Sequence, residues 1–187
     1  MKKYLLVLLF LTAGILSFAD TLSTRFNIQA HRGGRDRRPE NTPPAFRYAI
    51  NLGVNTLELD KAVTKDRVVV VSLNPRLNYA ITRDENGNFI PSTSNIFIKD
   101  LTFPELEKYD VGKLNPNTRY YHSHSEQKSV PNTHIPSLAE VFELAETMHA
   151  GKIQFNIEIK TYPPFPQYTL LQGYYRERCR RDTQSGN

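Results

Sequence analysis

The chain has 187 residues, a formal net charge of +5 and a single cysteine, Cys179. One cysteine excludes an internal disulfide, and a small positive charge gathered near the two ends excludes the dense basic face of a nucleic-acid binder. The length suffices for one domain with a real core, yet it falls well short of an ordinary eight-stranded α/β barrel, which needs roughly 250 residues.

Lys2 and Lys3 precede an apolar run from Tyr4 to Phe18, interrupted only by Thr12, Gly14 and Ser17. With small residues flanking Phe18 in Ser17-Phe18-Ala19, residues 1–19 read as a cleavable secretory signal, which puts the mature protein in the periplasm or outside the cell. An uncleaved anchor is the alternative reading. The run is short for a full span, so no stable membrane anchor is expected. No cysteine follows it for lipid attachment, and Cys179 reads as an incidental thiol.

Phe26 to His31 alternates apolar and polar residues, as a strand does. Thr42 is a helix N-cap with Pro43 at the first helical position, Phe46, Ala49 and Ile50 form its apolar stripe, and Gly53 ends it. Asn55 to Lys61 alternates again. Thr64 to Arg67 is a turn, and Val68 to Val71 is a β-branched run of the kind buried on both faces. Residues 78–95 form a polar surface excursion. Thr102 and Glu105 fit a capping box, with Leu101 and Leu106 as its staple, for a short helix ending near Asp110. Residues 113–133 read as loop. Ser137 and Glu140 open a helix striped by Leu138, Val141, Phe142, Ala145 and Met148. Lys152 to Lys160 is a fourth strand. Strands separated by helices predict parallel βαβ construction.

Three strands end in reactive groups on their polar faces. His31 ends the first, Glu58 and Asp60 the second, Asn156, Glu158 and Lys160 the last. At the carboxyl ends of parallel strands such groups line an active-site mouth. Three converging carboxylates repel unless a hard divalent cation, Mg²⁺ or Ca²⁺, neutralises them with oxygen ligation. Arg32, Lys160 and that cation would cradle a phosphate group. Taken singly, each piece has a plainer role. Arg35, Arg37 and Arg38 read as loop surface, Asn41 and Thr42 as caps, Glu40 as support for the loop or the following helix. His122, His124, His134 and His149 read as solvated.

HRGGRDRRPENTPPAF, then LELDKAVTKDRVVVVS, IPSLAEVF and FNIEIK, closely resemble the glycerophosphodiester phosphodiesterase family, its exported bacterial branch above all, over residues 26–160. The resemblance implies a TIM-type (β/α) barrel. It also implies a metal-dependent phosphoric diester hydrolase that cleaves glycerophosphodiesters such as glycerophosphocholine to sn-glycerol 3-phosphate and an alcohol. Carried over by position, Glu58, Asp60 and Glu158 match the ligands of one divalent cation. His31 matches the first of two catalytic histidines. Arg32 and Lys160 match phosphate-binding residues, with Glu40 in support.

Two departures stand out. Leu73 occupies the place of the second histidine and Asn74 that of an acid beside it, which implies impaired turnover. The likeness also stops after Lys160, when four of eight barrel strands have been written. The expectation is an incomplete barrel, about its first half, that exposes two sheet edges and one apolar sheet face. The unpatterned basic tail 161–187 is expected to be disordered and reads like an interrupted reading frame; a natural half-barrel that dimerises is the other reading. Lys61 replaces a commonly apolar residue, and its aliphatic stem can still pack. The alternatives to an impaired enzyme are a catalytically inactive module that binds metal and phosphodiester, or a non-functional fragment.

Overall fold

The computed structural model describes residues 26–148, 150–160 and 165–169; residues 1–19, read above as a secretory signal, His149, Cys179 and most of the tail lie outside the described residues. The first strand, β1 (Gln29–Ala30), is shorter than its alternation predicts, because the chain turns sharply at His31–Gly33, where Gly34 N–H donates to His31 O at 3.0 Å. Arg32, Gly33 and Gly34 have φ of 51°, 74° and 95°, a left-handed run. Glycine is required at Gly33 twice over: by that φ, and because a Cβ there would sit 2.7 Å from the Phe46 ring.

Helix α1 (Pro43–Asn51) starts where the sequence places it, with Thr42 as N-cap and Pro43 first. Phe46 and Ala49 face inward from it. β2 (Thr56–Val63) and β3 (Val69–Val71) follow. Then come two short helices, α2 (Phe103–Leu106) and α3 (Arg119–Ser123), the longer α4 (Leu138–Thr147) and β4 (Gln154–Ile159). Helix α3 falls in a stretch read as loop.

β2 is the centre of the sheet. β4 runs parallel to it from Thr56 to Lys61. β1 pairs with Thr56 and Leu57, also parallel. β3 pairs with Lys61 to Val63, antiparallel, and so departs from the all-parallel expectation. The turn explains it. Residues 64–67 are too few for a crossover and allow only a hairpin, closed by Thr64 N–H donating to Val68 O at 3.0 Å. Because β4 overlaps both neighbours in register, β1 and β3 must share the opposite edge of β2. The double burial expected of the valine run is met nonetheless. Val71 packs with Ala30, Phe46, Leu57, Leu59, Val141 and Leu144 between sheet and helices. Val70 packs into a second core with Leu77, Ile90, Ile98, Leu106 and Ile135.

The open face of the sheet is polar, which corrects the expectation of an exposed apolar face. Leu57, Leu59, Phe155 and Ile157 point toward α1 and α4 and are covered. The other face carries Asn27, Gln29, Thr56, Gln154 and Asn156, hydrogen-bonded across strands: Asn27 Nδ2 to Gln154 Oε1 at 3.0 Å, Thr56 Oγ1 to Asn27 Oδ1 at 2.8 Å, Asn156 Nδ2 to Gln29 Oε1 at 3.1 Å. Alternation alone decides this, since the apolar set went to the helices and left the amides on the other side. The apolar exposure lies at the edges, at Phe26, Ile28 and Ile159. Among the described residues no helix is long and apolar enough to cross a membrane.

Candidate metal centre and active site

Toward the carboxyl ends of β2 and β4, the polar face turns acidic. Asp60 and Glu158 are direct register partners across β2 and β4, and Glu58 lies two residues before Asp60 on the same face. Each offers an oxygen within 4.8 Å of the others. Opposed ligands of one Ca²⁺ lie about 4.6–5.2 Å apart, so the set fits a single hard cation in both spacing and donor chemistry. Asp60 is buried, Glu58 partly so and Glu158 exposed, which gives the cluster an inner and an outer side.

Two cations already offset part of this charge. Lys160 Nζ lies 3.1 Å from Asp60 Oδ1 and 2.5 Å from Glu158 Oε2. Burial works against its charge, but Glu158 and Asp60 outweigh it and hold the ammonium pKa above the ordinary value. Arg32 Nε lies 3.2 Å from Asp60 Oδ2, an ion pair without hydrogen-bond alignment, and Nη1 donates to Glu40 Oε2 at 3.2 Å. Burial opposes this charge too, and Glu40 and Asp60 together raise the guanidinium pKa. The left-handed backbone at Arg32 has a local use: its N–H donates to Glu58 Oε2 at 2.9 Å. His31 completes the group, with Nε2 3.9 Å from Glu58 Oε2 and its ring half exposed.

Every site residue read from the sequence is therefore in one place, with one distinction. Glu40 stands behind Arg32 rather than in the acid cluster. Asn41, read as a cap, also serves the site: its Nδ2 donates to Asp60 Oδ2 at 3.1 Å. Tyr120 on α3 escaped the sequence reading. Its hydroxyl donates to Glu40. The pairing itself leaves no local trace, although Thr118, whose Oγ1 accepts from Tyr121 N–H at 3.3 Å, was a legible N-cap for the helix that carries it.

The histidines are less free than expected. His124 is buried to 8% side-chain exposure, stacks on Tyr120 at 4.2 Å, and has both ring nitrogens engaged, by Tyr120 O at 3.1 Å and Asp36 Oδ1 at 3.3 Å. His134 pairs with Glu140 at 3.2 Å. Of the loop arginines, Arg37 meets Glu126 and Arg38 lies over the Tyr48 ring. Leu73 follows Ser72, whose N–H donates to Asp60 O at 2.9 Å, and it borders a small cavity with Glu40 and Asn41. Leu73 thus lies next in sequence to a residue tied to Asp60 and close to Glu40.

The sequence pattern of the glycerophosphoryl diester phosphodiesterase family matches residues 31–183. The chain belongs to that family. It is 37% identical over 151 residues to human lysophospholipase D GDPD1, a match covering 79% of this chain and 41% of that protein. A solved structure from Silicibacter pomeroyi, named as a glycerophosphoryl diester phosphodiesterase, superposes with a TM-score of 0.68 at 32% identity, covering 72% of this chain and 45% of that one. A phosphodiesterase of Oleispira antarctica, solved with the product sn-glycerol-3-phosphate, shares the fold at a TM-score of 0.53 and 21% identity, over 81% of this chain and 51% of that one. The chain spans about half the length of these relatives. Glycerophosphoryl diester phosphodiesterases are TIM-type barrels that use a divalent metal, and among the described residues Glu58, Asp60 and Glu158 form an acidic triad able to hold one.

Proposed function

We propose that this chain is an exported, metal-dependent phosphodiesterase that hydrolyses glycerophosphodiesters such as glycerophosphocholine to sn-glycerol 3-phosphate and an alcohol, with turnover depressed at Leu73. The observation that carries the reading is the convergence of three carboxylate oxygens within 4.8 Å, with an imidazole 3.9 Å from one of them. In this reading Glu58, Asp60 and Glu158 hold one cation, which supplies charge neutralisation at the phosphate. Oxygens within 4.8 Å of one another suit one hard divalent cation, Ca²⁺ or Mg²⁺. Arg32 and Lys160 bind phosphate oxygens. His31 takes the proton of the attacking hydroxyl or water. A second group should protonate the leaving oxygen, and Leu73 cannot, so turnover falls by about 10²–10⁴-fold. Residues 1–19 direct the protein to the periplasm or beyond.

Calorimetric Ca²⁺ titration and glycerol 3-phosphate release from glycerophosphocholine test this, with Leu73→His beside the parent. One bound Ca²⁺ and a gain of at least about a hundredfold in the histidine variant are expected. Absence of metal uptake by the folded protein would sink the reading. Leu73 favours one other: a binder of metal and phosphodiester without catalysis, which predicts ligand uptake and no release of product from either protein.

A further inference from the structure

Residues 119–128 lie across the loop that carries Arg32. Gln127 Nε2 donates to Arg35 O at 2.5 Å, and Lys128 N–H to Arg37 O at 3.1 Å. One side chain of this segment goes deeper. Tyr120 donates its hydroxyl to Glu40 Oε2, the same oxygen that accepts from Arg32 Nη1. Arg32 is thus held between two carboxylates, and only Asp60 belongs to the acid cluster. Side-chain exposures of 12% for Arg32, 5% for Glu40 and 1% for Asp60 make this a nearly dry arrangement.

We infer that Tyr120 is a positioning residue for Arg32, acting through Glu40. The inference rests on the proposed metal and phosphate reading. A carboxylate engaged by a divalent cation has less charge to offer its neighbours, so Asp60 alone would hold Arg32 weakly once a cation is bound. Glu40, outside the cluster, keeps its charge for the guanidinium. Glu40 is useful only if it stays put, and a phenol is well suited to fix it. The ring has two torsions, is stacked on His124, and cannot swing without breaking that stack. Burial, and then the charge of Glu40, push the phenol pKa upward, so the hydroxyl remains a donor. Arg32 is thereby kept between Glu40 and Asp60, pre-set for a phosphate.

The test is a double-mutant cycle read by inorganic phosphate binding to the full chain, with and without saturating Ca²⁺. Tyr120→Phe keeps the ring and the stack. It is expected to weaken phosphate binding about tenfold, the loss of one buried hydrogen bond to a charged group, and to leave Ca²⁺ affinity within about twofold. In a Glu40→Gln background the same change should do nothing further, because the two act as one unit. A purely structural tyrosine would give additive losses. His124→Leu removes the stack and leaves the hydroxyl; about threefold weakening is expected from this second variant, which decides the matter should Tyr120→Phe lose its cooperative melt. Unchanged phosphate affinity in Tyr120→Phe, additivity in the double variant, or no phosphate binding by the parent would overturn the inference. A parent that takes up phosphate but no Ca²⁺ would defeat the metal reading alone, since the metal-free cycle still reports on Tyr120.

Discussion

The sheet region and the excursion between β3 and α4 are held together by different physics. In the sheet, β1, β2 and β4 with α1 and α4 bury an apolar face, and order comes from periodic side chains. The excursion has a core of its own, but only two short helices and one 3-10 turn among residues 78–135. Side chains acting as surrogate secondary structure shape it. Asp110 accepts from the N–H groups of Gly112, Asn132 and Thr133 and pairs with Arg83. Asp84 does the same for Asn86 and Asn88. The difference teaches where chemistry and adaptation sit. The acids lie on the regular part, which fixes them, while the irregular part supplies Tyr120 from a distance of 80 residues.

Asp60→Ala should break the comparison hardest. It removes the buried partner of Arg32, Lys160 and Asn41 together. We expect Ca²⁺ binding to fall by at least about a hundredfold and stability to drop by about 3–5 kcal/mol, the cost of leaving buried charge without its counter-ion. Calorimetry and urea denaturation measure the two. If stability held steady while metal binding vanished, the acids would be ornaments on the sheet instead of part of its structure.

Much of this was legible beforehand, for reasons that match the division. β2, β4, α1 and α4 announce themselves because their signals are local: alternation, an N-cap before Pro43, a capping box at Ser137 and Glu140. The acid cluster follows from alternation plus parallel register, so Glu58, Asp60 and Glu158 could be named from the sequence. His31 reaches the acids although β1 stops before it, since the turn still brings its ring to 3.9 Å from Glu58. The antiparallel β3 was implicit in a turn too short for a crossover. The expectation of an apolar open face fails because Asn27, Gln29, Gln154 and Asn156 take that face and their apolar neighbours turn to the helices. Nothing local marks Asp110 as a hub or Tyr120 as a neighbour of Glu40. Both depend on contacts closed by loop packing, and a loop has no period to read.

The clasp at Asp110 sharpens the comparison at a smaller scale. Asp110→Ala leaves three N–H groups and Arg83 without their acceptor, and about 2–3 kcal/mol of destabilisation is expected. The effect depends on pH. Burial pushes the Asp110 carboxyl pKa upward, but the N–H groups of Gly112, Asn132 and Thr133 and the Arg83 pair outweigh it and set the pKa below the ordinary carboxylate value. A lowered folded-state pKa means the stabilisation is complete above the unfolded value, about 3.9, and is lost as pH falls through the folded one. Parent stability should therefore drop as pH is lowered past about 4, and Asp110→Asn should flatten that drop. Equal acid slopes in urea melts of the two proteins would contradict the clasp.

The smallest expected effect lies at the joint between the two regions, and it decides whether they are one cooperative unit. Ser137 caps α4: its Oγ accepts from Glu140 N–H at 3.2 Å, and Glu140 Oε2 accepts from Ser137 N–H at 2.7 Å. The neighbouring Pro136 O accepts from Val71 N–H at 2.8 Å, so the cap is tied to a strand whose faces enter both cores. Ser137→Ala removes one acceptor and should cost about 1 kcal/mol. If the protein unfolds as a unit, hydrogen exchange should speed up by the same factor at Val71 in the sheet and at Val111 and Thr133 in the excursion. If only α4 and the sheet respond, the excursion is a separately stable module docked on the sheet, and Tyr120 can leave Glu40 without the acid cluster coming apart.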